Sequence, residues 1–114
     1  IKEVITEDNT YKAKTIIIAS GSSYRTLGLP NEKELIGHGI HFCVACDGPF
    51  YKGKDIAIVG GGNSACINAY SMSNIAKHVT ILQNLDHLTC EQDLANKLEK
   101  CNNVDIIYSS AVKE

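Results

Sequence analysis

The chain has 114 residues, 44% of them hydrophobic and 21% charged, with a formal charge of -2; that composition predicts one globular domain and excludes disordered and collagenous classes. No apolar run reaches the roughly 18 residues of a membrane span, and the opening ten residues have neither the basic start nor the apolar stretch of a signal peptide, so a cytoplasmic protein away from membranes is expected. With 11 Lys and Arg against 13 Asp and Glu, and no basic block, the chain has no electrostatic footprint for nucleic acid.

In chain order, Val4 and Ile5 precede a polar turn at Glu7, Asp8 and Asn9, and Tyr11 follows it, which predicts a short hairpin near residues 2 to 13. Thr15 to Ala19 is a β-branched run stopped by Ser20, Gly21, Ser22 and Ser23, and predicts a strand buried on both faces. Residues 22 to 41 carry Gly28, Pro30, Gly37 and Gly39 with little periodicity, and read as a linker. Asp55 to Val59 repeats the buried-strand pattern, followed by Gly60, Gly61 and Gly62 and a helix-compatible stretch from Asn63 to Ala76. Val79 to Leu82 reads as the next strand. Thr89 and Gln92 form a T-x-x-Q capping box opening a helix through Leu94, Leu98 and Cys101, and Val104 to Tyr108 reads as a final strand. The order strand, helix, strand, helix, strand predicts an α/β fold with a parallel sheet and helical crossovers.

Two motifs carry chemistry. Gly60-x-Gly62-x-x-Ala65 stands at a strand-to-helix turn, where small residues let a pyrophosphate approach the backbone and the helix start offers free N–H groups; the rival reading is a glycine-rich structural turn. After the second strand of such a unit an acid for ribose or arginines for a 2'-phosphate are expected, but Gln83, Asn84 and Leu85 stand there, Asp86 is the nearest acid, and no Arg follows Arg25. The second motif is Cys43-Val44-Ala45-Cys46 with Asp47 and Gly48 directly after. Two thiols three apart can close a disulfide, and an adjacent acid can move the proton that thiol–disulfide exchange requires. His38 and His41 precede the pair and make zinc a rival, disfavoured because four ligands within nine residues have trouble closing a tetrahedron. Cys66, Cys90 and Cys101 read as small buried or half-buried hydrophobes at helical positions. Five cysteines at irregular spacing do not form the framework of a secreted, disulfide-stapled domain.

Taken together, IIIASG, LGLPNEKELIGHGIHFCVACDG, GKDIAIVGGGNSA and SNIAKHVTIL resemble the low-molecular-weight thioredoxin reductases across residues 1 to 114. The resemblance implies a Rossmann-like three-layer fold, with residues 1–23 the tail of a first FAD-domain segment, 24–38 an inter-domain connection, and 39–114 a partial nicotinamide-binding domain carrying the CxxC. It implies that Ala19, Ser20 and Gly21 lie beside the flavin, that Cys46 faces the flavin, that Cys43 attacks the partner disulfide, and that Asp47 donates the proton. Gly60, Gly62, Asn63, Ser64 and Ala65 match the pyrophosphate loop, while Gln83 and Asn84 stand at the nicotinamide nucleotide's ribose. FAD, NADP or NAD, and thioredoxin or a thioredoxin-like protein are the implied cofactors and partner, with no metal, and a homodimer the implied assembly. The absence of an initiator Met and the stop after a strand-like stretch lead us to expect an internal piece of such a flavoprotein. The family has Ala-Val-Glu-Glu-Ala where Ala65, Cys66, Ile67, Asn68 and Ala69 stand here. It has arginines where Asn84, Leu85 and Thr89 stand, so NADH or ferredoxin is an alternative donor, and a non-catalytic Rossmann-like module is the rival from another class.

Overall fold

In the computed structural model, which describes residues 1–114, the chain begins with the expected hairpin. Strands β1 (Lys2–Ile5) and β2 (Thr10–Ala13) pair antiparallel with Val4 opposite Tyr11, and the turn closes through Thr6 N–H to Asn9 O at 2.8 Å. Thr15 to Ala19, expected as a buried strand, forms none: Ile17 is 92% and Ile18 85% exposed. A central parallel strand needs hydrogen-bonded neighbours on both edges and a layer on each face, and residues 1–114 supply neither to this run. The irregular stretch that follows is broken by one helical turn, α1 (Glu32–Leu35). Glu32 is buried, and its carboxylate accepts from the backbone N–H groups of Leu27, Gly28 and Leu29 at 2.8, 2.7 and 3.1 Å. That cluster pins the loop to the helix.

A second helical turn, α2 (Val44–Asp47), leads through a 3-10 turn (Gly48–Tyr51) into the sheet. Strands β3 (Asp55–Val59), β4 (His78–Leu82) and β5 (Val104–Ile107) are parallel in the order β3-β4-β5, with Ile58 opposite Ile81 and Ile81 opposite Ile106. Helices α3 (Asn63–Ser73) and α4 (Gln92–Leu98) make the crossovers. This α/β unit follows the predicted order. Helix α3 stops short of Ala76, where Ser73 Oγ donates to Tyr70 O at 2.7 Å and Asn74 Nδ2 to the same oxygen at 3.2 Å, side-chain bonds that compete with helix continuation. The capping box is not formed. Glu91 is the N-cap of α4 without a side-chain bond, because Thr89 N–H is used on Gly61 O at 2.9 Å.

All seven buried hydrophobic residues fall in this unit: Cys66, Ala69, Met72, Ala76, Val79, Ile81 and Leu98. On α3 the buried positions recur every three residues, and two of them are small, which lets the helix lie close on Val79 and Ile81. The two crossover helices pack on each other, so both cover one face of the sheet. Two layers form where three were expected, because residues 1–114 include no helix for the opposite face; Val59 and Ile107 are 46% and 47% exposed. The radius of gyration, 18.7 Å, exceeds the roughly 13 Å of a compact domain this long, which fits a dense unit with an extended arm.

Candidate functional site

The disulfide centre is built locally and then seated. Cys43 has extended backbone and N-caps α2, its Sγ accepting from Cys46 N–H at 3.2 Å. The cap brings the two Cα atoms to 5.3 Å, and Cys43 and Cys46 are disulfide-bonded, within the range such a bridge spans. Cys43 is half-buried and Cys46 exposed. Gly48 seats the helix on α3: a Cβ there would lie 3.0 Å from Met72 Sδ and 3.4 Å from Val44. On the N-terminal side Phe42 stacks on Tyr24, ring centroids 4.6 Å apart and 9° from parallel, which ties the extended arm to the centre.

Asp47 meets a partner that sequence reasoning missed. His41 Nδ1 lies 3.2 Å from Asp47 Oδ2, with the two side chains 19% and 31% exposed, and the imidazole meets the Tyr51 ring edge-on at 5.3 Å. On sequence grounds His41 enters only as a zinc ligand. The available signal was its place two residues before Cys43, which the one-turn helix folds back over Asp47. The two sulfurs that the zinc alternative would use are bonded to each other, and no group of three or more His, Cys, Asp or Glu side chains converges.

The glycine loop joins β3 to α3. Gly62 N-caps α3 without a side-chain bond, and no acid stands in the first turn, so the N–H groups of Asn63, Ser64 and Ala65 are free for an anion in a helix of eleven residues. Asn63 itself accepts from Glu91 N–H at 2.8 Å through Oδ1, fixing the loop to the start of α4. Gly61 is held from below: Cys66 Sγ donates to its carbonyl at 3.6 Å, and a Cβ on it would come within 2.5 Å of Gln83 Nε2. Gly60 N–H donates to Leu82 O at 2.8 Å. Backbone this closely packed, with donors left open at the helix start, suits a nucleotide pyrophosphate.

The predicted ribose-side residues divide. Gln83 is buried, with Nε2 donating to His87 O at 3.0 Å and Oε1 accepting from Asn84 N–H at 3.1 Å, so both ends of its amide are used inside the protein. Asn84 is exposed. Asp86 pairs with His87 Nδ1 at 2.6 Å, and the imidazole beside it holds its carboxyl below the usual carboxylate range. Ala19, Ser20 and Gly21 lie in exposed irregular chain with nothing within 4 Å of a Cβ built on Gly21; by themselves they form no cradle for a flavin. Of the three free thiols only Cys66 lies within a helix, and burial, then its hydrogen bond and charge interaction with Cys90, push it up to about 12. It stays protonated at neutral pH and poorly nucleophilic.

Comparison with known proteins bears on both motifs. A family model described as pyridine nucleotide-disulphide oxidoreductase matches residues 1–114. The chain is 43% identical over 111 residues to a thioredoxin reductase of Coxiella burnetii, covering 95% of this chain and 35% of that protein. It is 42% identical over 112 residues to the 34.2 kDa protein in the rubredoxin operon of Clostridium pasteurianum, covering 98% and 36%. Among solved structures, a thioredoxin reductase of Streptococcus pyogenes MGAS5005 superposes with a TM-score of 0.79 at 41% identity, covering 98% of this chain and 37% of that one. The chain spans about a third of the length of these relatives.

Proposed function

Because the chain belongs to the pyridine nucleotide-disulphide oxidoreductase family, we propose that Cys43–Cys46 is the redox centre of a thioredoxin-reductase-like flavoprotein. In such a flavoprotein this disulfide would receive two electrons drawn from a reduced nicotinamide, with FAD as the group that would supply them, and would deliver them to thioredoxin or a similar protein disulfide. The observation that carries the reading is the closed bridge itself, on a helical turn with Asp47 beside it and seated on the helix that follows the glycine loop.

Once reduced, Cys43 attacks the partner disulfide as thiolate, the partner's sulfur leaves with the electron pair, and Asp47 supplies the proton it takes. Cys46 then displaces the partner from the mixed disulfide. Gly60, Gly62, Asn63, Ser64 and Ala65 hold the pyrophosphate of the nicotinamide nucleotide, which supplies a hydride when bound. Residues 1–23 belong to the flavin domain, 24–38 connect, and 39–114 belong to the nicotinamide domain. The packing supports this division, since the first stretch finds no core within the chain while the last forms one.

The donor side favours a second reading of the electron source. An arginine–phosphate pair is worth about 1.5 to 3 kcal/mol, so lacking two of them costs a hundredfold or more in NADPH affinity at roughly tenfold per 1.4 kcal/mol. With Gln83 turned inward, Asn84 and the ionised Asp86 remain for ribose hydroxyls, a pairing suited to NADH. Ferredoxin is the other donor that needs no phosphate site.

The test is anaerobic addition of NADH, NADPH or reduced ferredoxin to the flavin-loaded protein, followed by alkylation and mapping of the Cys43–Cys46 peptide. Double alkylation after a donor, reversed by oxidised thioredoxin, is expected. A bridge that stays closed while the flavin bleaches overturns the function, and a tenfold preference for NADPH overturns the reading of the donor.

A further inference from the structure

Three histidines touch carboxylates in this chain, and they are not alike. His78–Asp105 and His87–Asp86 have side chains 37% and 74%, and 64% and 86%, exposed, where water screens the pair. His41–Asp47 is the sheltered one, at 19% and 31%, and it adjoins the disulfide. Asp47 follows Cys46 directly, and its N–H donates to Cys43 O at 2.9 Å, so its backbone is locked to both cysteines. His41 Nδ1 faces the carboxylate at 3.2 Å as an ion-pair contact, while Nε2 has no partner in the chain and is not among buried unsatisfied atoms; that nitrogen opens to solvent. The groups facing the ring are Asp47 from α2 and Tyr51 from the 3-10 turn, and Lys54 Nζ lies 5.3 Å from the Tyr51 ring centroid.

The geometry points to His41 as a proton-relaying positioning residue of the disulfide centre: its imidazole takes a proton from solvent at Nε2, passes one from Nδ1 to Asp47, and so keeps the acid charged with the proton that a departing sulfur needs. This rests on the redox reading of Cys43–Cys46. In the reductive direction with a dithiol, the incoming thiolate bonds to one sulfur of the bridge. The Cys43–Cys46 bond breaks with its electron pair on the other sulfur, and that sulfur takes the proton held by Asp47. The second thiol of the dithiol gives its proton to solvent and attacks the mixed disulfide, and the cysteine sulfur it displaces leaves with the electron pair and takes a proton from solvent. Cys43 and Cys46 each end protonated, and the dithiol ends as a disulfide. A carboxyl that has given up its proton must be recharged before it can donate again, and the imidazole facing it supplies a route for that proton from solvent.

The experiment follows opening of the bridge by dithiothreitol without flavin or nicotinamide, using acid quench, alkylation and mapping of the Cys43–Cys46 peptide. The rate is divided by the concentration of dithiothreitol thiolate at each pH. The wild-type rate so normalised falls as pH rises, whereas H41Q is flat and roughly tenfold slower at the acid end. An H41Q profile that copies the wild type, or that is slower by the same factor at every pH, overturns the relay. If H41Q does not fold, the wild-type imidazole resonances of His41 decide: their titration midpoint must move when the bridge opens and thiols face the pair, and an unmoved midpoint overturns the proposal. A bridge that dithiothreitol never opens sinks the redox reading as well, so the two failures are distinguishable.

Discussion

The two ends of the chain treat similar residues in opposite ways. Thr15 to Ala19 and Val79 to Leu82 are both β-branched runs of strand type, yet Ile17 is 92% exposed while Val79 and Ile81 are fully buried. The difference is supply of neighbours: β4 has β3 and β5 on its edges and α3 on one face, and the earlier run has none within the chain. A strand sequence is a demand for partners, and burial depends on who answers it.

The largest effect that sharpens this contrast is Ile81→Ala. Removing a fully buried side chain at the centre of the sheet should cost about 3 kcal/mol, read from urea unfolding. A cost below about 1 kcal/mol would mean that the sheet unit is not the stabilising core.

Next is Gly61→Ala, which places a methyl group against Gln83. Overpacking of this kind costs about 2 kcal/mol, and Gln83→Ala in the same chain should return most of it. Failure of the second change to rescue would show that Gln83 does not press on the glycine loop.

In the N-terminal half, order is polar, and pH should reveal it. Hydrogen bonds from Leu27 first, and then Leu29 and Gly28, lower the Glu32 carboxyl from its ordinary value against the opposing effect of burial. A depressed folded value means that this stabilisation is present above the ordinary carboxylate range and is lost as pH falls through the lowered value. Protection of the Leu27, Gly28 and Leu29 amides, measured against their intrinsic exchange rate at each pH, should therefore fall on acidification, and Glu32→Gln should remove that pH dependence. Unchanged protection in the acid range would mean that the loop is held by something else.

The smallest expected effect is the one that could break the comparison. Ile17→Ala should change stability by less than about 0.5 kcal/mol in residues 1–114, as surface substitutions do. A cost near that of Ile81→Ala would show that a partner covers the run in the protein as it exists.

Much of the site was legible because its parts are local. The CxxC places two sulfurs on one helical turn, and a glycine loop between a strand and a helix follows from residues next to one another. The capping box failed for a tertiary reason: Thr89 has the right neighbour in Gln92, but its N–H is taken by Gly61 from the preceding crossover. Gln83 reads as a residue at the nucleotide's ribose and is instead packed beneath the loop, through contacts to His87 and Gly61. His41 enters the sequence reading only through the disfavoured zinc alternative, and only folding of α2 over it shows Asp47 as its partner.

Residue order alone thus settled the strand and helix sequence of residues 55–108, the hairpin at 2–13 and the position of the disulfide, since backbone propensity, side-chain period and short spacing act within a few residues. Tertiary structure decided which strand runs are buried, that one face of the sheet is covered, and which side chains the glycine loop and Asp47 engage, because hydrogen-bond partners and apolar cover come from segments distant in the chain, whose arrival no local pattern encodes.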